Sequence, residues 1–356
     1  MAADSAESRD IRSLVASRSE ELARRIIRRQ EELQPDLEIR YGQVGMEICL
    51  QDIRYHLAYL AEALSLRSPS LFEEYVKWVK KLLSSLGLPD EDMRTNLRCM
   101  REILASELPE PAATEVCRYL EKMEHEYPFL PAEEERDFLE ESPLRELARA
   151  YLEALLGGRR HEASRMILEA VEGGVPVKDI YLHVFQPSQW ELGRLWQSNR
   201  ISVAQEHYCT AATQVIMSQL YPYIFREERK GGSLIAACVP GELHELGLRM
   251  VADLLEMEGW DTYYLGANTP RQSVVRDLSE RRPNILALSA TITYHVGEVA
   301  EFIKALRETE AGREVRVIVG GYPFNVDRDL WEKVGSDGWA PDAEKAVQVA
   351  RELCGI

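Results

Sequence analysis

The chain has 356 residues, of which 60 are acidic and 43 are basic, and its formal net charge is −17. Because so acidic a chain repels phosphate, nucleic-acid binding is disfavoured. No run of about 20 apolar residues is present, as a membrane span would require, and the opening MAADSAESRD does not resemble a secretory signal. The six cysteines are scattered without a C-x-x-C pair, so we expect reduced thiols and a cytoplasmic protein.

Residues 1–130 are predicted to form an all-helical N-terminal domain. Apolar side chains recur at helical spacing in three stripes, and two further helices are expected at 91–107 and 112–126. The acidic segment EYPFLPAEEERDFLEESP, which contains three prolines, breaks this periodicity and indicates a linker. The stripe residues are Ile11, Leu14, Val15, Leu22 and Ile26, then Ile53, Leu57, Leu60 and Leu64, then Phe72, Tyr75, Val76, Val79 and Leu83.

Two further domains are predicted after the linker. Residues 142–228 are expected to form a helix bundle punctuated by paired glycines, and REERKGG marks its end. In residues 232–356 short apolar runs alternate with helical stretches, which is typical of a Rossmann-like, doubly wound parallel sheet. The predicted fold class is therefore multidomain α and α/β. Strands are expected at 233–239, 262–265, 285–289, 315–319 and 337–339, and helices at 245–258, 270–281, 296–309, 327–334 and 342–353.

The loop after the first predicted strand contains Glu242-x-His244-x-x-Gly247. Ligands of doubly wound sheets bind outside the carboxyl ends of the strands, which is where this loop is expected. A loop histidine can offer a neutral ring nitrogen to a metal, and Gly247 lets a bulky planar ligand approach the helix closely. On the other interpretation, Glu242 caps the helix and His244 is a surface residue, and the motif alone does not decide between the two.

Two more loops are expected on the same edge of the sheet. Ser289-Ala-Thr291-Ile-Thr293 follows the third strand, and Gly320-Gly321 follows the fourth. Hydroxyls on one loop and bare backbone on the next suit a deep slot for a flat or tail-like group. Each loop alone is a weak signal, because Ser, Thr and Gly commonly end strands, but their order and placement form a stronger one.

Together the motifs E-x-H-x-x-G, S-x-T and G-G resemble those of the cobalamin-binding (vitamin B12) domain family, over residues 233–356. The resemblance implies that His244 is the lower axial ligand of cobalt, in place of the cofactor's own dimethylbenzimidazole. Methyl carriers and mutases of that family usually have Asp where this chain has Glu242, and Glu is closer to the light-sensing branch. The resemblance further implies a cofactor pocket formed by Glu242, Leu243, Gly247, Ser289, Thr291, Thr293, Gly320 and Gly321.

The middle segment contains Trp196 and, after nine intervening residues, Glu206-His207. Ser202-x-x-Gln205 predicts a capping box, which places the Glu-His pair in the first turn and a half of a helix. Alone, this pattern favours a packed Trp at a helix corner and an incidental Glu-His pair. Beside a cobalamin domain, W-x9-E-H resembles the bundle of the CarH-type cobalamin photoreceptors. That resemblance implies that Trp196, Glu206 and His207 contact the adenosyl side of adenosylcobalamin.

Two departures from the CarH-type pattern change the expected function. The residue after the Trp is a His in those proteins and can bind cobalt after light breaks the Co–C bond, whereas this chain has Gln197. The light state is therefore expected to carry water or a rearranged ligand such as His207. CarH-type repressors also begin with a DNA-binding winged helix, whereas this chain begins with an acidic helical segment, so no DNA binding is expected.

On the predicted helix at 44–66, Cys49, Asp52, His56 and Tyr59 share one face. The pattern itself favours a polar flank beside the core stripe. The alternative is a pocket in which Asp52 accepts pyrrole N–H groups while His56 and Tyr59 bind carbonyl or carboxylate oxygens. The domain layout resembles the photocobilins, which implies biliverdin as a second chromophore. Cys49, Cys99 or Cys117 could link a bilin covalently, but we expect non-covalent binding.

The sequence therefore predicts a light-sensing photoreceptor, not an enzyme, that binds adenosylcobalamin base-off and His-on and signals through Co–C photolysis. Biliverdin would extend the response to red light. The chain is expected to form a homo-oligomer such as a dimer, or to bind an unidentified output protein, and the signal would pass through a change at that interface. Three alternatives stay open. They are a corrinoid methyl carrier of a methyltransferase system, a non-photochemical cobalamin or redox sensor, and an N-terminal domain that binds protein rather than a chromophore.

Overall fold

A computed structural model of the chain describes residues 11–133, 136–225, 229 and 232–356. It divides into two compact units, Met1–Glu133 and Glu134–Ile356. The opening MAADSAESRD and most of the predicted boundary REERKGG lie outside the described residues. Among the described helices, none is long and apolar enough to cross a membrane. The division into three domains stays a prediction, and the second unit contains both the predicted bundle and the predicted sheet.

The described part of the first unit is helical, as predicted. A helical stretch at 11–17 leads into the longer helices, and most residues of the expected stripes are buried. The helix predicted at 44–66 begins earlier, and Gly42 interrupts it with a φ of 65°, which glycine adopts without strain. The helices are α1 (Ser19–Leu33), α2 (Leu37–Ser65), α3 (Pro69–Ser85), α4 (Asp90–Glu107) and α5 (Ala112–Glu126).

A buried carboxylate on α4 ties the start of α2 to the rest of the first unit. Asp92 accepts hydrogen bonds from Arg40 Nη1 and Tyr41 Oη, both at 2.6 Å, and from Gln34 Nε2 at 2.8 Å. Burial would raise the pKa of Asp92, but the bonds from Arg40 and Tyr41 lower it below its ordinary value. The charged network therefore fixes the backbone just ahead of the break at Gly42.

The second unit opens with the predicted helix bundle, in which a buried π-helical turn, Tyr181–Phe185, joins two consecutive helices. The apolar core of the bundle includes Met250 and Leu254 of the sheet domain, so bundle and sheet domain share one core. The bundle helices are α6 (Arg145–Leu156), α7 (Arg160–Glu172), α8 (Val177–Ile180), α9 (Gln186–Gln197), α10 (Val203–Gln219) and α11 (Tyr221–Ile224).

The remainder of the second unit is a Rossmann-like domain around a parallel sheet. Its strands are β1 (Ser233–Cys238), β2 (Asp261–Gly266), β3 (Ile285–Ser289), β4 (Arg316–Gly320) and β5 (Gly338–Ala340). The strand order is β2-β1-β3-β4-β5, so β2 and β3 lie on opposite sides of β1. In such sheets this switch point is where ligands bind, beyond the carboxyl ends of the strands.

The helices of the sheet domain follow the predicted alternation with one correction. The helix predicted at 327–334 is wrong in extent, because only Leu330–Lys333 forms the later helix. Asp327 has an extended backbone, and its carboxylate accepts the Asp329 amide at 3.1 Å in a local turn that competes with helix formation. The helices are α12 (Leu246–Met257), α13 (Arg271–Arg281), α14 (Val296–Arg307), α15 (Glu310–Glu314), α16 (Tyr322–Val326), α17 (Leu330–Lys333) and α18 (Ala343–Cys354).

Candidate functional site

The loop after β1 lies at the switch point and carries a carboxylate–imidazole pair. Glu242 is fully buried, and its Oε1 accepts hydrogen bonds from His244 Nδ1 at 2.6 Å and from the His244 amide at 2.9 Å. The side chain of His244 is nevertheless 59% exposed. Because the carboxylate occupies Nδ1, the imidazole keeps Nε2 for a ligand outside the loop.

The second oxygen of Glu242 is satisfied by the loop after β3. Oε2 accepts hydrogen bonds from the amides of Thr291 at 2.7 Å and Ile292 at 3.0 Å, and from His295 Nδ1 at 3.0 Å. Burial would raise the pKa of Glu242, but the bonds from the two histidines and the backbone amides lower it far below its usual range. The ionised carboxylate in turn raises the pKa of His244 through their hydrogen bond, against the effect of burial.

The start of α10 has the capping box that the sequence predicts. Ser202 Oγ accepts the Gln205 amide at 3.2 Å, and Gln205 Oε1 accepts the Ser202 amide at 3.0 Å. One turn further on is Glu206, whose charge adds to the larger effect of Glu242 in raising the pKa of His244. Further along α10, Gln214 Nε2 donates to Glu245 Oε1 at 2.9 Å, so the helix that carries Glu206 contacts the residue next to His244.

Glu206 and His207 form a second carboxylate–imidazole pair. Glu206 Oε2 lies 2.5 Å from His207 Nδ1, and Oε1 accepts Thr210 Oγ1 at 2.8 Å. The side chain of His207 is 75% exposed. Trp196, near the end of α9, is half-buried, and the following Gln197 is buried within the bundle. The predicted upper-face residues thus lie at the two helix ends that the 198–202 turn joins.

The loops after β3 and β4 lie side by side, because Ser289 pairs in register with Gly320. Ser289 and Thr293 are buried and Thr291 is half-buried. Among the described residues, no hydrogen bond involves any of these three hydroxyls. None of the three oxygen atoms is among the fully buried and unsatisfied ones of the described residues, so each hydroxyl stays accessible to a polar ligand tail.

Glycines leave room beside these hydroxyls. Gly321 has a φ of 113°, and a Cβ at this position would lie 2.0 Å from the Ala290 carbonyl oxygen, so only glycine fits. A Cβ on Gly247 would meet nothing within 4 Å, which leaves open space at the start of α12. Leu243, next to His244, exposes 71% of its surface. An apolar side chain and open space beside the imidazole suit a large planar ligand.

Sequence reasoning missed two residues that hold the Glu242 loop. His295 lies two positions beyond Thr293 and donates to Glu242, which its place in the predicted slot loop could have suggested. Asn268 Oδ1 accepts the Gly241 amide at 2.8 Å, and the Asn268 amide donates to the Glu242 carbonyl at 2.8 Å. The signal for Asn268 was its turn sequence, G-A-N-T-P, in which Asn adopts a left-handed φ of 47°.

The residues predicted for a bilin pocket lie on α2 in the first unit. Asp52 is half-buried and has no hydrogen-bond partner among the described residues, and burial raises its pKa to about 6. His56 is buried with Nδ1 2.7 Å from Tyr75 Oη, and burial lowers its pKa to about 4. Tyr59 stacks on the Tyr75 ring with centroids 3.6 Å apart. His56 and Tyr59 therefore both contact α3, a partner that spacing on one helix could not reveal.

Comparison with known families gives three matches along the chain. Residues 232–348 match the family described as B12 binding domain, and residues 147–221 match a second family with the same description. Residues 10–126 match the family described as phycobilisome protein. The two B12 matches contain every residue of the site described above in the bundle and the sheet domain.

The curated relatives are corrinoid proteins. Dimethylamine corrinoid protein 1 of Methanosarcina mazei is 30% identical over 128 residues, which are 36% of this chain and 58% of that protein. A corrinoid protein of Desulfitobacterium hafniense is 23% identical over 208 residues, which are 57% of this chain and 95% of that protein. The alignment with the first of these relatives thus spans little more than half of its length.

A solved structure has a fold similar to that of this chain over more than half of its length. The monomethylamine corrinoid protein of Methanosarcina barkeri superposes with a TM-score of 0.54 at 23% identity, covering 59% of this chain and 99% of that protein. The available Nε2 of His244, the unpaired hydroxyls and the glycine-lined slot all fit a cobalamin and its nucleotide tail. The chain is therefore a cobalamin-binding protein with B12 binding domains at residues 147–221 and 232–348.

Proposed function

We propose that this protein is a light sensor that binds adenosylcobalamin in its second unit and a bilin in its first. The observation that carries the proposal is the phycobilisome match over residues 10–126, ahead of the two B12 binding domains. A phycobilisome is a light-harvesting assembly of bilin pigments, so the match supports a pigment-binding role for the helices of the first unit. When bound, adenosylcobalamin supplies a cobalt–carbon bond that light can break.

At the lower face, His244 Nε2 is the proposed cobalt ligand. The buried Glu242 carboxylate accepts the Nδ1 proton, which fixes the tautomer and the ring orientation. Thr291, Ile292 and His295 hold the other carboxylate oxygen, so the pair cannot rotate without breaking several bonds. The displaced nucleotide tail would bind beside the hydroxyls of Ser289, Thr291 and Thr293 and the bare backbone of Gly320 and Gly321.

At the upper face, Trp196, Glu206 and His207 are the proposed contacts to the adenosyl group. Glu206 is oriented by Thr210, which in turn contacts Gln189 Oε1 at 2.9 Å, so its carboxylate is held in place before any ligand arrives. A carboxylate oxygen is a suitable acceptor for ribose hydroxyls, and the Trp ring can cover a flat base. Together these side chains would exclude water from the bond that light breaks.

In the first unit, Asp52 is the proposed acceptor of pyrrole N–H groups. Its carboxylate has no hydrogen-bond partner among the described residues, and burial raises its pKa to about 6. Hydrogen-bond donors from a ligand would offset the cost of burying the charged carboxylate and would favour its ionised form. His56 and Tyr59 lie on the same helix, and burial keeps His56 neutral at physiological pH. Biliverdin is the bilin that we propose.

The bilin is proposed to bind without a covalent link. Burial raises the pKa of the Cys49 and Cys99 thiols to about 11, so very little thiolate is present at neutral pH. The thiolate is the nucleophilic form of cysteine, and these environments suppress it. The signal itself would arise when loss of the adenosyl group removes contacts between α10 and the cofactor, which biases a two-state arrangement that an oligomer or a partner protein can sense.

A corrinoid methyl carrier is the second candidate, and the names of the curated relatives favour it. Those relatives and the solved structure account for at most 59% of this chain, which leaves the N-terminal helices without a role in a carrier. A carrier would also need its upper face open to a partner methyltransferase, whereas Trp196, Glu206 and His207 are here the proposed contacts at that face. On either proposal the chain itself carries the cofactor and catalyses no complete reaction.

Absorption spectroscopy separates the two candidates. The full chain is purified with adenosylcobalamin and biliverdin in the dark, and spectra are recorded before and after green or red illumination. The light-sensor proposal expects loss of the alkylcobalamin spectrum after green light and a red absorption band from bound biliverdin. Unchanged spectra after illumination at both wavelengths would overturn it. Asp52→Asn, with Glu47→Gln as an exposed control on the same helix, tests the bilin site separately.

A further inference from the structure

A polar ladder runs down the face of α12 that packs against the bundle. Glu245 at the N-cap and Arg249 and Asp253 within the helix recur at intervals of four residues, so they lie on one side of α12. The ladder begins at the residue next to His244, and Met250 and Leu254 beside it enter the core shared with the bundle. The side chain of Arg249 is 12% exposed and that of Asp253 is 9% exposed.

Every member of the ladder bonds to the bundle. Glu245 Oε1 accepts Gln214 Nε2 at 2.9 Å, and Asp253 Oδ2 accepts Tyr181 Oη at 2.8 Å. Arg249 donates through Nη1 to the Gln214 carbonyl at 3.1 Å, and through Nη2 to Ser218 Oγ at 2.8 Å and Tyr221 Oη at 3.1 Å. Arg249 Nε also lies 3.8 Å from Asp253 Oδ2.

The ladder reaches the helix that carries the upper-face residues. Gln214 lies seven and eight positions after His207 and Glu206 on α10, which is two helical turns along the same side. The Gln214 side chain bonds to Glu245 and the Gln214 backbone carbonyl bonds to Arg249, so both the side chain and the backbone of this residue are fixed to α12. Apolar contacts at this interface would tolerate a slide of one helix along the other, whereas these directional bonds are satisfied in one register only.

We propose that Glu245, Arg249 and Asp253 are positioning residues that hold α10 in register over His244, and that the bonds of Arg249 set how often the upper face of the cofactor opens. The inference rests on the proposed place of α10 at that face. It assigns a role to residues that contact neither cobalt nor the adenosyl group. Arg249 is the strongest single link, because one largely enclosed guanidinium donates to three groups of the bundle, and a residue without donors loses all three bonds.

The test measures access of cyanide to the upper face. The full chain is loaded with aquocobalamin, the base-off, His-on absorption spectrum is recorded, and the rate of cyanide binding is followed by absorbance. Arg249→Met is expected to keep the spectrum and to bind cyanide roughly tenfold to a hundredfold faster, because bonds to a charged donor are lost. The matched control is Arg276→Met, since Arg276 is exposed on α13 and has no partner among the described residues, and its rate should equal that of the parent.

The absorption spectrum tests the proposed cobalamin site, and the rate of cyanide binding tests the positioning role separately. If the parent shows no base-off, His-on spectrum, the proposed site is wrong and the positioning role falls with it. If the spectrum is present but Arg249→Met binds cyanide within twofold of the parent rate, the positioning role alone is overturned. Should Arg249→Met not fold, Tyr181→Phe and Ser218→Ala each remove one hydroxyl from the ladder. Unchanged cyanide rates in both variants then overturn the proposal, and faster rates support it.

Discussion

Glu242 and His244 form a pair in which the carboxylate is fully buried and the imidazole is 59% exposed, with Oε1 and Nδ1 2.6 Å apart. This contrast in exposure decides what each residue can do. The carboxylate is removed from solvent and bonded on both oxygens, so it serves only the protein. The imidazole carries its Nδ1 proton inward and offers Nε2 outward, which is the arrangement expected of a metal ligand with an orienting partner.

Replacing His244 by alanine is expected to abolish the base-off, His-on spectrum. The nitrogen that displaces dimethylbenzimidazole would be missing, so any cobalamin that still binds should show its own base on cobalt. Absorption spectra of the loaded protein at neutral pH check this outcome. His161→Ala is the control, because His161 is exposed in the bundle and should leave the spectrum unchanged. A His244→Ala protein with the parent spectrum would refute the ligand assignment.

Replacing Glu242 by glutamine is expected to weaken cobalamin binding by about 10-fold to 100-fold, as is typical when the orienting partner of a metal ligand is lost. In the parent, His244, Thr291 and His295 all donate to the Glu242 carboxylate. Glutamine replaces one of the two acceptor oxygens by an N–H donor, so at least one of these groups loses its acceptor. Equilibrium titration with cobalamin measures the change. Glu242→Asp keeps the charge and should lose less affinity. Equal affinities for the parent and the glutamine variant contradict the orienting role.

Replacing Gly321 by alanine is expected to lower the free energy of unfolding by about 3 kcal/mol or more, because a φ of 113° is essentially restricted to glycine and Cβ would clash with the Ala290 carbonyl. Gly87→Ala is the matched control. Gly87 also has a positive φ, 69°, but a Cβ there meets nothing within 4 Å, so a loss of about 1 to 2 kcal/mol is expected. Urea unfolding without cofactor measures the free energy of unfolding of both variants. Equal losses in the two variants would show that the clash at Gly321 does not contribute.

The stability contribution of Asp52 is expected to depend on pH. Burial raises the pKa of Asp52 in the folded state to about 6, from the ordinary value of about 4 for an exposed aspartate. The folded state therefore binds the proton more tightly, and stability falls as pH rises through this window. Asp52→Asn should therefore be more stable than the parent at pH 7.5, by about 1 to 2 kcal/mol after allowance for solvent screening. At pH 4 the two should be similar. Urea unfolding at both pH values checks this, and a gain that is the same at pH 4 would argue against titration of Asp52.

Much of the fold was determined by sequence pattern alone. The apolar runs of the C-terminal segment predict the five strands within a residue or two. The signal is clearest for β1 and β3, which are buried along nearly their whole length and have continuous apolar sequence. The capping box at Ser202 and Gln205 is likewise a local signal, and it appears as predicted. The loop positions of Glu242, His244, Ser289 and Gly321 followed from the strand ends, since parallel strands place their carboxyl ends at one edge.

Other features depend on contacts between segments distant in the chain, which periodicity does not encode. The bond from His295 to Glu242 spans 53 residues, and the bond from Tyr75 to His56 joins two helices. The helix prediction at 327–334 was too long, because the Asp327 carboxylate accepts the Asp329 amide in a local turn that competes with the helix. The spacing of Glu245, Arg249 and Asp253 is typical of a solvated helix face, and only the packing of the bundle against α12 buries two of them.

The sequence by itself determined which elements form and which loops meet at the sheet edge, because local patterns specify strands and turns. Only the tertiary structure decided which side chains pair within the site and which hold the bundle to the sheet domain, because those bonds depend on the register between packed elements.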